Sequence, residues 1–367
     1  MKFLLTYVPN LRFREFSLPW HQIPIKDLLS FQNGINGVPE QYGKGIKYIS
    51  VGDILFQRSS EIKDDIGRTN VYLDKDNTAT FGGFVIRGKK IGDYNPSFFS
   101  FLLKSPSSRK SIVRLGAGAQ HYNIGQENIK TLSFYFPNEI EQVKIANLLS
   151  KIDERIQTQI KIIELKQSLI KDIEDKILWK TTNTHAKPIR EFLTEINDKS
   201  IIQNQYPLLS STKKGLFLQT EYFNKEAASS NNIGYKIVHK GEIIISPQNL
   251  WMGNITFNDK FDNGLVSPSY RIYKVKEQYN TFYISRILMS YRALSLYKNI
   301  SEQGASIVRR NLNVDAFNEL CFPIPNIKKQ DEVSLFLSKL HQELNYETWI
   351  LMQLKSQKNY LLNNMFI

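Results

Sequence analysis

The chain has 367 residues, 48 Lys+Arg against 35 Asp+Glu, a formal net charge of +13, and 41% hydrophobic with 12% aromatic residues. That composition is globular rather than disordered or fibrous, and the length predicts two to three domains. No apolar run approaches the roughly 18 residues of a membrane span, MKFLLTYVPN turns polar too soon for a signal peptide, and the single Cys321 excludes an internal disulfide and a cysteine-based zinc site.

Taken in chain order, residues 46–51 (IKYISV) and 80–86 (TFGGFVI) have the aromatic and β-branched composition of strands, set between Gly, Asn and Asp turns. Pro96 opens a short helix that runs to Leu103. After Pro137-Asn138, about 40 residues contain no Gly or Pro. Apolar side chains recur there at Ile145, Leu149, Ile152, Ile156, Ile160, Ile163, Ile170, Ile173 and Ile177. Steps of three, four and seven predict a long helix with one apolar stripe over 139–182, stopped between Thr181 and Pro188. Residues 270–275 (YRIYKV) read as a strand, and 281–297 as a helix. A second long helix is predicted from Asn326 onward. Its stripe is Val333, Leu337, Leu340, Leu344, Leu351, Leu354 and Leu361, interrupted by Glu347 and Lys358. At 1.5 Å per residue each rod measures about 60 Å. Two such helices in one chain pair most simply as an antiparallel coiled coil; the plainer alternative is a long helix lying on a globular core.

The chain also repeats itself. At an offset of 188 residues, 36 positions align without gaps and 11 are identical. Gly116-Ala117 matches Gly304-Ala305, Leu132 and Phe134 match Leu320 and Phe322, and Pro137-Asn138 with Gln142 match Pro325-Asn326 with Gln330. Upstream, PIKDLL at 24–29 echoes PIREFL at 188–193, and Gly52-Asp53 echoes Gly241-Glu242. The chain therefore reads as two α+β modules, 1–138 and 183–325, each followed by a long helix, 139–182 and 326–367. The first module carries 18 basic and 11 acidic residues, net +7; the second carries 17 and 12, net +5. The helices are nearly neutral. The excess charge thus predicts two polyanion-binding units, nucleic acid being the simplest partner.

Catalytic patterns are scarce. The five histidines are scattered, and there is neither a phosphate-binding Gly-x-x-x-x-Gly-Lys-Ser/Thr loop nor a Gly-x-Gly-x-x-Gly turn. Asn95-Pro96-Ser97-Phe98 has a serine where an adenine methyltransferase needs its second proline, and reads as a turn into a helix. Asp53, Glu61 and Lys63 have the order of a magnesium nuclease, which leaves a stand-alone magnesium-dependent DNA nuclease as the alternative function. The second module lacks the equivalent set. Polar loops with interleaved basic and aromatic residues are more informative. In the first module these are Arg58, Ser59, Ser60, Arg68, Gln120, His121 and Tyr122. In the second they are Lys213, Lys214, Ser246, Gln248, Asn249, Trp251, Arg309 and Arg310. Arg forks onto guanine, Gln and Asn pair with adenine, and Lys suits phosphate. The repeat sets His121 opposite Arg309 and Tyr122 opposite Arg310, a shared frame with exchanged tips.

With the repeat, the helix entry FPNEIEQVKIANLLSKID, its copy IPNIKKQDEVSLFLSKLH, the opening VPNLRFREF with Trp20, and the ending LLNNMFI, the chain resembles the specificity subunit of a type I restriction–modification system. The resemblance implies two target-recognition domains related by a pseudo-two-fold, each reading half of a split double-stranded DNA site. It implies helices that set the spacing and hold two methyltransferase subunits. It also implies a non-catalytic, cytoplasmic subunit with no cofactor of its own. The partner methyltransferase would use S-adenosylmethionine, and motor–nuclease subunits would bring ATP and magnesium to the full complex. Glu242 departs from the family's usual Asp, and the second helix follows the first less closely beyond about Leu340.

Overall fold

The computed structural model describes residues 7–34, 49–76, 79–118, 121–180, 185–213, 215–222, 231–303 and 310–367. The chain divides into two compact units, Met1–Lys161 with Thr348–Ile367, and Ile162–Glu347. Each unit holds one globular module and a length of both long helices.

The first unit is built on a four-stranded antiparallel sheet in the order Leu29–Asn33, Val85–Lys90, Ile54–Gln57, Thr69–Val71. Strand Ile54–Gln57 alternates, with Ile54 and Phe56 buried and Leu55 and Gln57 half-buried, as a two-residue period requires. A ribbon pairs His21–Pro24 with Ser133–Phe136. Helices Pro96–Lys104 and Pro106–Val113 follow the sheet, and Asn95 and Ser105 accept from the Phe98 and Ser108 amides at their starts. The core joins Trp20, Phe98, Phe99, Phe134 and Phe136 to Ile145, Leu149, Ile152 and Ile156 of the first long helix and to Leu361, Leu362 and Phe366 at the chain end. The two terminal segments close on this core. Phe366 packs against Trp20 and Phe98, the Leu11 amide donates to Asn364 O, and Arg12 forks onto the buried Glu141 at 2.7 and 2.6 Å.

The second unit repeats the sheet with the same order of counterparts: Leu193–Ile196, Arg271–Val275, Ile243–Ile245, Ile255–Phe257. His185–Pro188 pairs with Cys321–Ile324 as the equivalent ribbon. It adds a hairpin, Leu209–Thr212 with Gly215–Leu218, and a pair, Lys236–His239 with Asn263–Val266. These additions give the sheet a second small core of Leu209, Leu216, Val238, Ile244, Val266 and Ile272, whereas Ile243, Ile245 and Tyr273 face the main one. A strand buried on both faces needs an unbroken apolar run, which Ile243-Ile244-Ile245 supplies.

The long helices span Glu139–Trp179 and Ile327–Asn364. In the second unit Lys166 pairs with Glu347 at 2.9 Å and Glu343 at 3.6 Å, and Glu174 accepts from His341 at 2.8 Å, so the helices run antiparallel there. In the first unit Lys358 pairs with Asp153 at 2.5 Å. Both polar interruptions of the second stripe, Glu347 and Lys358, are thus ion-paired across the helix pair.

Some predicted elements differ. Residues 281–297 form two helices, Thr281–Leu288 and Tyr291–Asn299, because Ser290 accepts from the Ala293 amide and starts a new helix. The described part of 46–51 turns toward Gly52 rather than forming a strand. Strand Val85–Lys90 lies further along than 80–86, whose first half is loop.

The repeated motif turns out to be a clip. Asn138 and Asn326 accept from the Glu141 and Lys329 amides at the helix starts. Gln142 and Gln330, 6% and 1% exposed, donate to Pro137 O and Pro325 O and accept from the Asn95 and Asn280 amides at 2.9 Å. One glutamine therefore ties the long helix to the residue that caps the short helix in each module, satisfying polar groups that would otherwise be costly to bury.

Candidate nucleic-acid interface

In the first module a short ribbon assembles the candidate residues. Ser59 and Ser60 pair with Asn123 and Tyr122, and Ser59 Oγ donates to Asn123 Oδ1 at 2.5 Å. Arg58 is pinned by its backbone, donating to Phe84 O and accepting from the Ile124 amide, while its side chain is exposed. His121 is exposed beside the half-buried Tyr122. Gly118 has φ +137°, and a Cβ there would lie 2.0 Å from His121 O, so this loop requires glycine. Arg68 O accepts from the Gln57 amide, which places it next to the ribbon. Its guanidinium pairs with Asp65 at 2.6 Å while 66% exposed. A pair so open to water is weakly held and can be exchanged for a phosphate. Gln120 lies outside the described residues.

In the second module the turn after Ile243–Ile245 meets strand Arg310–Leu312. Ser246 is buried, and its hydroxyl accepts from Asn249 Nδ2 at 3.3 Å; it organises the turn rather than facing outward. The Arg310 amide donates to Gln248 O at 3.2 Å. Its guanidinium lies over the Trp251 ring, 4.4 Å from the centroid. A concavity of about 840 Å³ opens here, lined by Gln248, Arg310 and Asn311 together with Lys236, Tyr270 and Arg271. Lys213 is exposed on the turn of the added hairpin; Lys214 and Arg309 lie outside the described residues.

Lys236, Tyr270 and Arg271 carry no signal in the sequence, because strand register brings Lys236 and Arg271 to the concavity and the turn before Arg271 brings Tyr270. Burial holds the Lys236 ammonium below the usual lysine range; Glu195 opposes that shift, and Arg271 and Lys199 add to it. Arg271 in turn pairs with Glu195 at 2.6 Å. Among the described residues the concavity therefore brings Lys236, Arg271 and Arg310 together with one carboxylate, Glu195, a suitable setting for an anionic ligand.

Asp53 is committed to the fold. It is 1% exposed; Oδ2 accepts from the Ser50 amide at 2.8 Å and from Arg87 Nε and Nη2 at 2.8 and 2.5 Å, and Oδ1 accepts from the Lys90 amide at 2.9 Å. Glu61 and Lys63 are exposed in the following loop. Among the described residues no group of three or more His, Cys, Asp or Glu side chains is placed to hold a metal. Nothing in this arrangement supports the nuclease alternative. Among the described residues no helix is long and apolar enough to cross a membrane.

No protein-family model matches the sequence, and no curated protein matches it significantly. Solved structures do match in fold. The S subunit of a type I restriction–modification system from M. genitalium is similar over 98% of this chain and 99% of its own, with a TM-score of 0.57 and 17% identity. A chain solved in connection with complex assembly and conformational transition of the type I R-M system is similar over 95% and 98%, with a TM-score of 0.57 and 10% identity. Over nearly its whole length, then, this chain has the fold of a type I restriction–modification S subunit.

Proposed function

We propose that the protein is the DNA-specificity subunit of a type I restriction–modification complex, with each module reading one half of a split double-stranded site. The observation that carries this reading is the duplication: one frame, built twice, bears different polar tips at matching places. Arg58, Ser59, Ser60, His121 and Tyr122 form the tip of the first module, and Gln248, Asn249, Trp251 and Arg310 that of the second. Two identical readers would recognise identical half-sites. Exchanged tips on one frame suit two different halves. The net charges of +7 and +5 supply the sequence-independent attraction to phosphate.

The near-neutral long helices serve as spacer and protein-docking surface. Their partners are two methyltransferase subunits, which bring S-adenosylmethionine and the adenine-methylating chemistry. Motor–nuclease subunits bring ATP and magnesium. The chain itself selects the site, catalyses nothing, and acts in the cytoplasm. Support comes from the fold shared with the S subunit along 98% of the chain and from the full structural commitment of Asp53.

A genome-wide map of methylated adenines, made with and without this chain, tests the proposal. A bipartite motif that vanishes with the chain is expected. An unchanged map in a strain with an active methyltransferase partner would refute it.

A further inference from the structure

The stacked pair of Arg310 and Trp251 has a consequence for what the second module reads. The guanidinium lies over an indole, its Cζ 4.4 Å from the ring centroid. The residue's backbone is fixed at the same time, since the Arg310 amide donates to Gln248 O. A free arginine samples many rotamers, and ordering one on binding is costly. Here stacking and the backbone bond have already ordered it. Neither Arg310 Nε nor Trp251 Nε1 has a hydrogen-bond partner among the described residues, and both atoms are buried. No carboxylate among those residues pairs with Arg310, and Glu195, the acid of the concavity, is engaged by Arg271 at 2.6 Å. With Nε covered, the donors left to Arg310 are its two terminal nitrogens, a planar fork in the lining of the concavity.

A planar fork can clasp a phosphate, but a phosphate contact carries no sequence information and does not need an arginine ordered in advance. The same fork matches O6 and N7 of guanine in the major groove. We propose that Arg310, positioned by Trp251, reads a guanine in the half-site of the second module. Gln248 and Asn311 flank the fork in the same concavity and contact neighbouring base edges or phosphates. At the matching place the first module has Tyr122, paired with Ser60, and among the described residues no arginine lies over its ring. The guanine contact thus belongs to the second half-site only. This inference rests on the function proposed above.

Selection from a randomised duplex library, using the full chain with its methyltransferase partner, tests it. The wild type should enrich a split motif with one strongly preferred G·C pair in one half. Arg310→Ala should abolish the preference at that pair alone, a loss of roughly 10- to 100-fold in discrimination, and leave the other half-site unchanged. Arg310→Lys should keep most affinity but not the preference, since the charge remains and the fork does not. Trp251→Leu should weaken the preference less than Arg310→Ala. An unchanged other half-site shows that each variant is folded. If Arg310→Ala lowers affinity for all sequences alike and Arg310→Lys restores it, Arg310 is a phosphate contact and the inference is overturned, with the proposed function intact. A wild-type chain that enriches no split motif overturns both.

Discussion

The two modules close the same turn with different chemistry. In the first, Gly52 at φ +94° is followed by Asp53, which accepts from the Ser50 amide three residues back. In the second, Gly241 at φ +89° is followed by Glu242, which accepts from the His239 amide at 2.7 Å. Both carboxylates are buried. The neighbouring strand is what differs. Register places Arg87 opposite Leu55 in the first module and Ile272 opposite Ile244 in the second. Asp53 pairs with the buried cation Arg87, whereas Ile244 and Ile272 of the second module belong to its added apolar core. The turn is thus fixed by backbone chemistry, while the sheet face beyond it is free to diverge and, with it, what each module carries there.

Breaking the Asp53–Arg87 pair should give the largest effect. Asp53→Ala strands a buried guanidinium, and a loss of about 3–5 kcal/mol is expected in chemical denaturation. Glu242→Gln, which keeps an acceptor for the His239 amide and strands no cation, should cost under about 1 kcal/mol. Equal losses would erase the contrast between the modules. The glutamine clips should behave in the opposite way. Gln142→Ala and Gln330→Ala each leave a half-buried Asn amide without its acceptor, and both should cost about 1–3 kcal/mol by the same assay. Unequal clips would mean that the shared frame is not energetically shared.

A pH series sharpens the comparison within the second unit. Burial raises the Glu242 carboxyl above the usual range, against the His239 amide that favours its charged form. The folded state therefore holds that proton more tightly than the unfolded chain. Its contribution is most favourable in acid and declines as pH rises from the ordinary carboxyl value through the raised one. Glu242→Gln should accordingly gain stability relative to wild type across that window. Glu174 has the opposite sign. Burial opposes its ionisation, but hydrogen bonds from His341 and Arg286 outweigh burial and lower its pKa. Its contribution is complete above the unfolded carboxyl value and is lost as pH falls through the lowered one, so the gap between wild type and Glu174→Gln should narrow on acidification. Melting curves at several pH values check both signs. The smallest effect is expected at Lys213, exposed on the added hairpin. Lys213→Ala should reduce the salt dependence of DNA binding by about one phosphate contact and leave base preference unchanged.

Much of the frame was legible in the sequence because it rests on local chemistry. The helix stripes appear as buried Ile145, Leu149, Ile152 and Ile156 and as buried Val333, Leu337 and Leu361. The Pro-Asn…Gln repeat marked both helix entries, although its role as a clip to Asn95 and Asn280 needed the tertiary contact. Glu347 and Lys358 read as flaws in a stripe, since their partners Lys166 and Asp153 lie far off in sequence. The break at Ser290 was hidden because a capping serine differs little from a serine within a helix until its hydroxyl is seen to accept from Ala293. In the candidate interface, Arg58, Gln248, Trp251 and Arg310 were visible as basic, amide and aromatic residues of polar loops. Lys236, Tyr270 and Arg271 were not, because Lys236 and Arg271 reach the concavity through strand pairing and Tyr270 through the turn before Arg271. Ser246 was read by composition as a contact and lies buried beneath its turn.

The central claim is that each module reads its own half of one site. Exchanging residues 183–325 for the corresponding module of another chain of this fold, and mapping methylated adenines before and after, tests it directly. One half of the split motif should change while the other half is retained. Change in both halves, or in neither, would contradict it.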